Sequence, residues 1–199
     1  MRKSNEIEVY LLDHWEDIAN LQEEVQKFKS RIAKTIPEII DSLKEKEWWR
    51  SGNFSEQIYP EVGEPRAIHI FNKQWQYGNK KWHSVYLYVE NITLNNMLGD
   101  TEELPTAGIW TGEGLKDEKK NLLMSKLSTI VKELKTNWHY DENRGLVFYY
   151  PHKAGEWIQI IKDGQLVEEI VKIFDNLAQF IDPIDKAIAE VLRMRKGKK

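Results

Sequence analysis

The stretch Trp82-His83-Ser84-Val85-Tyr86-Leu87-Tyr88-Val89-Glu90 decides the fold class. Its side chains alternate with period two: Val85, Leu87 and Val89 share one side, Tyr86 and Tyr88 the other. Bulk on both sides marks a central strand. Before it, Ala67–Phe71 reads as a second strand, with Asn72 to Lys81 (including Tyr77-Gly78-Asn79-Lys80) as the connecting turn. After it, Asn95 to Leu104 reads as a polar loop and Thr106–Thr111 as a third strand. Ser51-Gly52-Asn53 breaks helix, and the chain from there to Pro65 reads as loop.

Helical periodicity surrounds this strand region. From Ile7 to Leu43 apolar residues recur in steps of three and four: Leu11, Trp15, Ile18, Leu21, Val25, Phe28, Ile32, Ile36, Ile39 and Leu43. Thr35-Ile36-Pro37-Glu38 combines a capping threonine, an early proline and a well-placed acid. It predicts two helices, roughly 6–34 and 36–49, joined at a kink. Gln22 and Lys29 interrupt a strict heptad, which favours packing of this segment on the body over a free coiled coil.

Downstream, Asp117 to Asn137 is helical through Leu123, Leu127, Ile130 and Leu134. Trp138–Asp141 and Leu146–Tyr150 form a hairpin around Asn143-Arg144-Gly145. Trp157–Ile161 leans toward strand. Gln165 to Ile181 is an amphipathic helix, and Asp182-Pro183 restarts the chain as a last helix. The order predicts an α+β fold: an antiparallel sheet of five to six strands covered by helices, with a long N-terminal helical segment. Three regions follow: a helical segment 1–50, an α+β domain 51–192 and a basic tail 193–199.

Composition narrows the function classes. Eight Trp and eight Tyr in 199 residues indicate a well-defined core, an aromatic recognition surface, or both. There is no cysteine, which excludes disulfides, thiolate zinc sites and cysteine nucleophiles. No apolar run reaches transmembrane length and no short apolar leader opens the chain, so a cytoplasmic protein without membrane contact is expected. Net charge is -3, but residues 193–199 hold five of the 29 basic residues and no acid. The remainder has 24 basic against 32 acidic residues, a net of -8, which opposes a phosphate-binding surface over the whole body.

No catalytic constellation emerges. His14, His69, His83, His139 and His152 show no metal-ligand spacing, although His69 and His83 fall on neighbouring predicted strands. Gly112-Glu113-Gly114 lacks the third glycine of a dinucleotide fingerprint and the Gly-Lys-Ser/Thr of a P-loop. No Gly-x-Ser-x-Gly elbow occurs. The expectation is therefore no catalytic residue, no metal and no cofactor. Trp15, Trp82, Trp110 and Trp138 sit where core is expected. Trp48, Trp49, Trp75 and Tyr77 fall at predicted ends and loops, and Lys80 and Lys81 follow them. With Arg193 and Arg195 of the tail, these eight are the candidate binding residues, suited to stacking or to anchoring a protein interface.

A further pattern joins Glu47-Trp48-Trp49, Ile70-Phe71-Asn72-Lys73-Gln74-Trp75, the strand Trp82–Glu90, Ala107-Gly108-Ile109-Trp110 and Asp182-Pro183-Ile184-Asp185. From about Trp48 to Arg193 the chain resembles the C-terminal accessory region of bacterial PD-(D/E)XK nuclease superfamily proteins found near phage-defence and mobile-element genes. That superfamily holds its metal with an Asp and a strand-borne Glu-x-Lys. Here Glu118-Lys119-Lys120 and Glu133-Leu134-Lys135 fall in a predicted helix, so the resemblance implies the accessory module without the nuclease. It points to a non-enzymatic protein-interaction module of a bacterial or phage defence or counter-defence system, with a protein partner or homo-oligomer. The alternatives are a nucleic-acid-binding accessory protein using the tail and the aromatic loop, and a divergent metal-dependent nuclease.

Overall fold

A computed structural model of the chain describes residues 6–61, 64–75, 85–98, 103–111, 117–133, 138–141 and 145–193. Among these residues six strands form one sheet of order β1-β2-β3-β4-β6-β5, with every neighbouring pair antiparallel. The strands are β1 (Phe54–Glu61), β2 (Glu64–Asn72), β3 (Val85–Glu90), β4 (Thr106–Thr111), β5 (His139–Asp141) and β6 (Leu146–Tyr149). The helices are α1 (Glu6–Asp13), α2 (Trp15–Lys44), α3 (Glu47–Arg50), α4 (Leu94–Leu98), α5 (Asp117–Glu133), α6 (Ala154–Lys162), α7 (Leu166–Ala178) and α8 (Ile181–Arg193). This is an α+β fold with a long N-terminal helix.

Strand register sorts the side chains into two layers. Ile68 and Ile70 of β2 stand beside Val89 and Leu87 of β3, and Leu87 and Val89 stand beside Ile109 and Ala107 of β4. Val147 continues the row opposite Ile109. All are buried, in one cluster with Ile32, Ile36, Ile39, Ile40 and Leu43 of α2, Leu123 and Leu127 of α5, and Ile170, Phe174 and Leu177 of α7. The central position of β3 agrees with its bulk on both sides.

Four local expectations are corrected. First, Pro37 does not divide two helices: α2 runs unbroken through it. A proline there removes one backbone donor. Burial of Ile32 and Ile36 on one side and Ile39, Ile40 and Leu43 on the other holds both halves against the same core. The irregularity falls earlier, at His14, yet His14 N–H donates to Tyr10 O and Ile18 N–H donates to His14 O, so the helical ladder crosses it. Second, Phe54 to Glu61 is an edge strand rather than loop; its polar sequence and Pro60 suit an edge. Third, Leu94–Leu98 inside the expected polar loop is a short helix that buries Leu94, Asn96 and Met97. Fourth, Trp157–Ile161 is helix α6. Glu156 accepts the backbone N–H of Lys153 at 2.8 Å, capping the first turn, and Trp157 is fully buried.

Candidate functional site: an exposed apolar helix and an aromatic sheet face

The stripe of α1 and α2 has two fates. From Ile32 onward it is core. Before Phe28 it is largely exposed: Ile7 is 68 % exposed, Leu12 74 %, Trp15 64 % and Leu21 65 %, with Val9, Tyr10, Leu11 and Val25 also exposed and Ile18 half-buried. The packing on the body expected for this segment, and the core position expected for Trp15, are thus corrected. The heptad reading changes with them. Leu11, Ile18, Val25, Ile32 and Ile39 recur every seven residues, with His14, Leu21 and Phe28 at the intervening position. Gln22 and Lys29 fall beside this seam rather than in it.

The second feature is the other face of the sheet. Tyr59, His69, Tyr86, Tyr88, Trp110, Phe148 and His139 project from it, as register with Ala67, Gly108 and Glu90 shows. His69 stacks on Tyr86 at 4.5 Å and meets Tyr59 at 4.6 Å; Tyr86 meets Trp110 at 4.5 Å. Ala67, Phe71 and Tyr88 are buried without belonging to the helix-covered cluster, so this face builds an apolar layer of its own. His69 Nε2 lies 2.8 Å from Glu90 Oε1. Burial, and then the negative charge of Glu90, raise the phenol pKa of Tyr59; the same causes act on Tyr88, with Tyr150 adding to them. Both remain hydroxyls at neutral pH.

A cleft of about 340 Å³ opens at this face, with walls including Tyr88, Phe148 and Tyr150 and with Glu90, Glu103 and Asp141 among its polar groups. Gly108 lies between Tyr88 and Phe148 in the register. A Cβ there would run into Val147 O and stand 2.8 Å from Phe148 Cα, so only glycine lets β6 approach.

The candidate residues taken from the sequence do not assemble into one surface. Trp75 is fully buried and donates from Nε1 to Asp185 Oδ1 at 2.6 Å, tying the turn after β2 to α8. Trp49 is 8 % exposed and packs with Phe54. Trp48 is half-buried, and its Nε1 donates to Asp175 Oδ1 at 2.9 Å while Lys46 Nζ bonds Asp175 Oδ2 at 2.6 Å. The three tryptophans expected at ends and loops therefore brace the core and its rim. Trp110 and Trp138, expected in the core, are half-buried. Arg193 is exposed at the end of α8. Tyr77, Lys80, Lys81 and Arg195, with Trp82, His83 and the Gly112-Glu113-Gly114 turn, lie outside the described residues. Among the described residues no group of three or more His, Asp or Glu side chains is placed to hold a metal ion, and no helix is long and apolar enough to cross a membrane.

The alternation that sets Tyr86 and Tyr88 on one side of β3 extends to its neighbours: Tyr86, Tyr88, Trp110 and Phe148 occupy alternate positions of three adjacent strands. Comparison of the chain with protein-family models, with curated proteins and with solved structures finds no match.

Proposed function

We propose that this protein is a non-enzymatic protein-interaction module that works by presenting the apolar stripe of α1 and α2 to another polypeptide. One observation carries the reading: eight large apolar side chains between Ile7 and Val25 are exposed on a helix whose continuation is core. Covering such a surface removes apolar area from water and favours association. A lipid surface suits it poorly. Between Glu6 and Gln26 there are seven acids and no lysine or arginine, which opposes docking on anionic headgroups. A place in bacterial or phage defence or counter-defence is part of the proposal and rests on the residue pattern of 48–193 alone.

The test is capture of polypeptides by the tagged chain from its native host, with and without nuclease, beside the double variant Leu21→Glu/Val25→Glu. A stoichiometric polypeptide that survives nuclease and is lost with the variant is the expected result. Retention of nucleic acid alone, or of polypeptides indifferent to the variant, overturns the reading and favours the nucleic-acid alternative.

A further inference from the structure

We infer that the occupant of the bare stripe is a second copy of this chain, laid antiparallel along residues 11–28. The inference rests on the interaction-module reading and names its partner.

Orientation follows from where the body sits. The seam that is exposed at Leu11 and Val25 and half-buried at Ile18 is the seam that buries Ile32 and Ile39 in the protein's own core. A parallel copy would have to bring its own Ile32–Leu43 level, with the body attached, into space this body already fills. An antiparallel copy pairs along residues 11–28, where the stripe lies ahead of the buried residues of α2, and its own body lies beyond the opposite end of the pair.

Charge selects the same orientation. Residues 6–24 carry seven acids and no lysine or arginine, whereas residues 27–34 carry Lys27, Lys29, Arg31 and Lys34 and no acid. Antiparallel pairing brings the basic residues 27–34 beside the acidic start of the other copy, Glu6 and Glu8; parallel pairing sets the basic segments together and the acidic segments together. The register that alternates the two seam positions places Leu11 against Phe28, His14 against Val25, and Ile18 against Leu21, each twice by symmetry. It also brings Glu8 beside Lys29 and Tyr10 beside Arg31 of the other copy. The like-charged approach of Asp17 and Glu24 is moderated by Lys27, which holds Glu24 at 2.9 Å.

The absence of native cysteine makes the orientation directly testable. In the antiparallel pair the two copies of Leu11 are about 26 Å apart, at a rise of about 1.5 Å per residue, so they cannot be bridged. Leu11 of one copy and Phe28 of the other can. Chains carrying Leu11→Cys and Phe28→Cys are oxidised separately and mixed, while sedimentation velocity follows the unmodified chain over a concentration series. We expect a dimer of the unmodified chain, a monomer for Leu21→Glu, and a disulfide-linked pair only in the mixture. Circular dichroism of Leu21→Glu checks that its body stays folded.

Linkage of Leu11→Cys with itself overturns the orientation. A dimer that gives no linkage in the mixture, or that survives Leu21→Glu, places self-association elsewhere and overturns the inference. A chain that stays monomeric overturns it too, and co-sedimentation of that monomer with phosphatidylcholine–phosphatidylglycerol vesicles names a lipid occupant instead. If the monomer still captures a different protein through Leu21, the interaction-module reading stands while the self-pairing fails.

Discussion

At the scale of single residues, aspartates and glutamates of the C-terminal helices fix the aromatic framework. Asp175 holds both Lys46 and Trp48, so one carboxylate joins α3 to α7. Asp175→Ala leaves both donors without it, and a loss of about 1–3 kcal/mol is expected in denaturant unfolding. Glu169 supplies a pH-dependent contribution. Burial pushes its carboxyl up, but His152 at 2.9 Å and Lys172 at 3.2 Å outweigh burial and hold it below the ordinary carboxylate range. A carboxylate lowered on folding contributes stability above its unfolded pKa and loses it as pH falls through the folded value. Glu169→Gln is therefore expected to cost about 1–2 kcal/mol at neutral pH. The difference from the unmodified protein should narrow as pH falls below the ordinary carboxylate range. Gly108→Ala tests the close approach of β4 and β6: the added Cβ meets backbone atoms, and a loss of about 2 kcal/mol or more should be read in the thermal midpoint.

At the scale of elements, α2 behaves as two half-helices. Ile39 is 1 % exposed and Leu21 is 65 %. Ile39→Ala is expected to destabilise by about 2–5 kcal/mol, whereas Leu21→Ala in the monomeric state changes stability by about 0.5 kcal/mol or less. Equilibrium unfolding of the two variants separates core-bearing from surface-bearing helix. The sequence made the elements legible wherever one period dominated. Strand Thr106–Thr111 falls where alternation put it, the hairpin of β5 and β6 turns at Gly145, and α8 starts around Asp182-Pro183. It misled where local chemistry was ambiguous. Ser55–Glu61 is polar enough to read as loop because an edge strand has less apolar surface to cover. Trp157–Ile161 carries β-formers, yet the Glu156 cap and burial of Trp157 make it helix.

At the scale of the whole molecule, the body is expected to be independent of the exposed helix. Removal of residues 1–26 should leave cooperative unfolding of the remainder intact, because the buried residues of α2 begin at Ile32. Removal through residue 43 should abolish it, since Ile36, Ile39 and Leu43 lie in the cluster that backs the sheet. Far-ultraviolet circular dichroism and thermal unfolding of the two truncations decide this.

The division between sequence and tertiary structure follows from what each can sense. Periodicity and turn chemistry are local, and by themselves they determined the α+β class, most of the strands, the amphipathic helices and the apolar seam from Leu11 to Leu43. Only the tertiary structure decided which part of that seam has a body to cover it, because a stripe of isoleucine and leucine is the same whether it meets a sheet or water. It also decided that Trp49 and Trp75 are core and Trp48 a brace, since Asp175 and Asp185 stand more than a hundred residues away in sequence. The aromatic face belongs to both levels: each strand contributed its alternation, and strand order and register brought Tyr86, His69 and Trp110 into one layer.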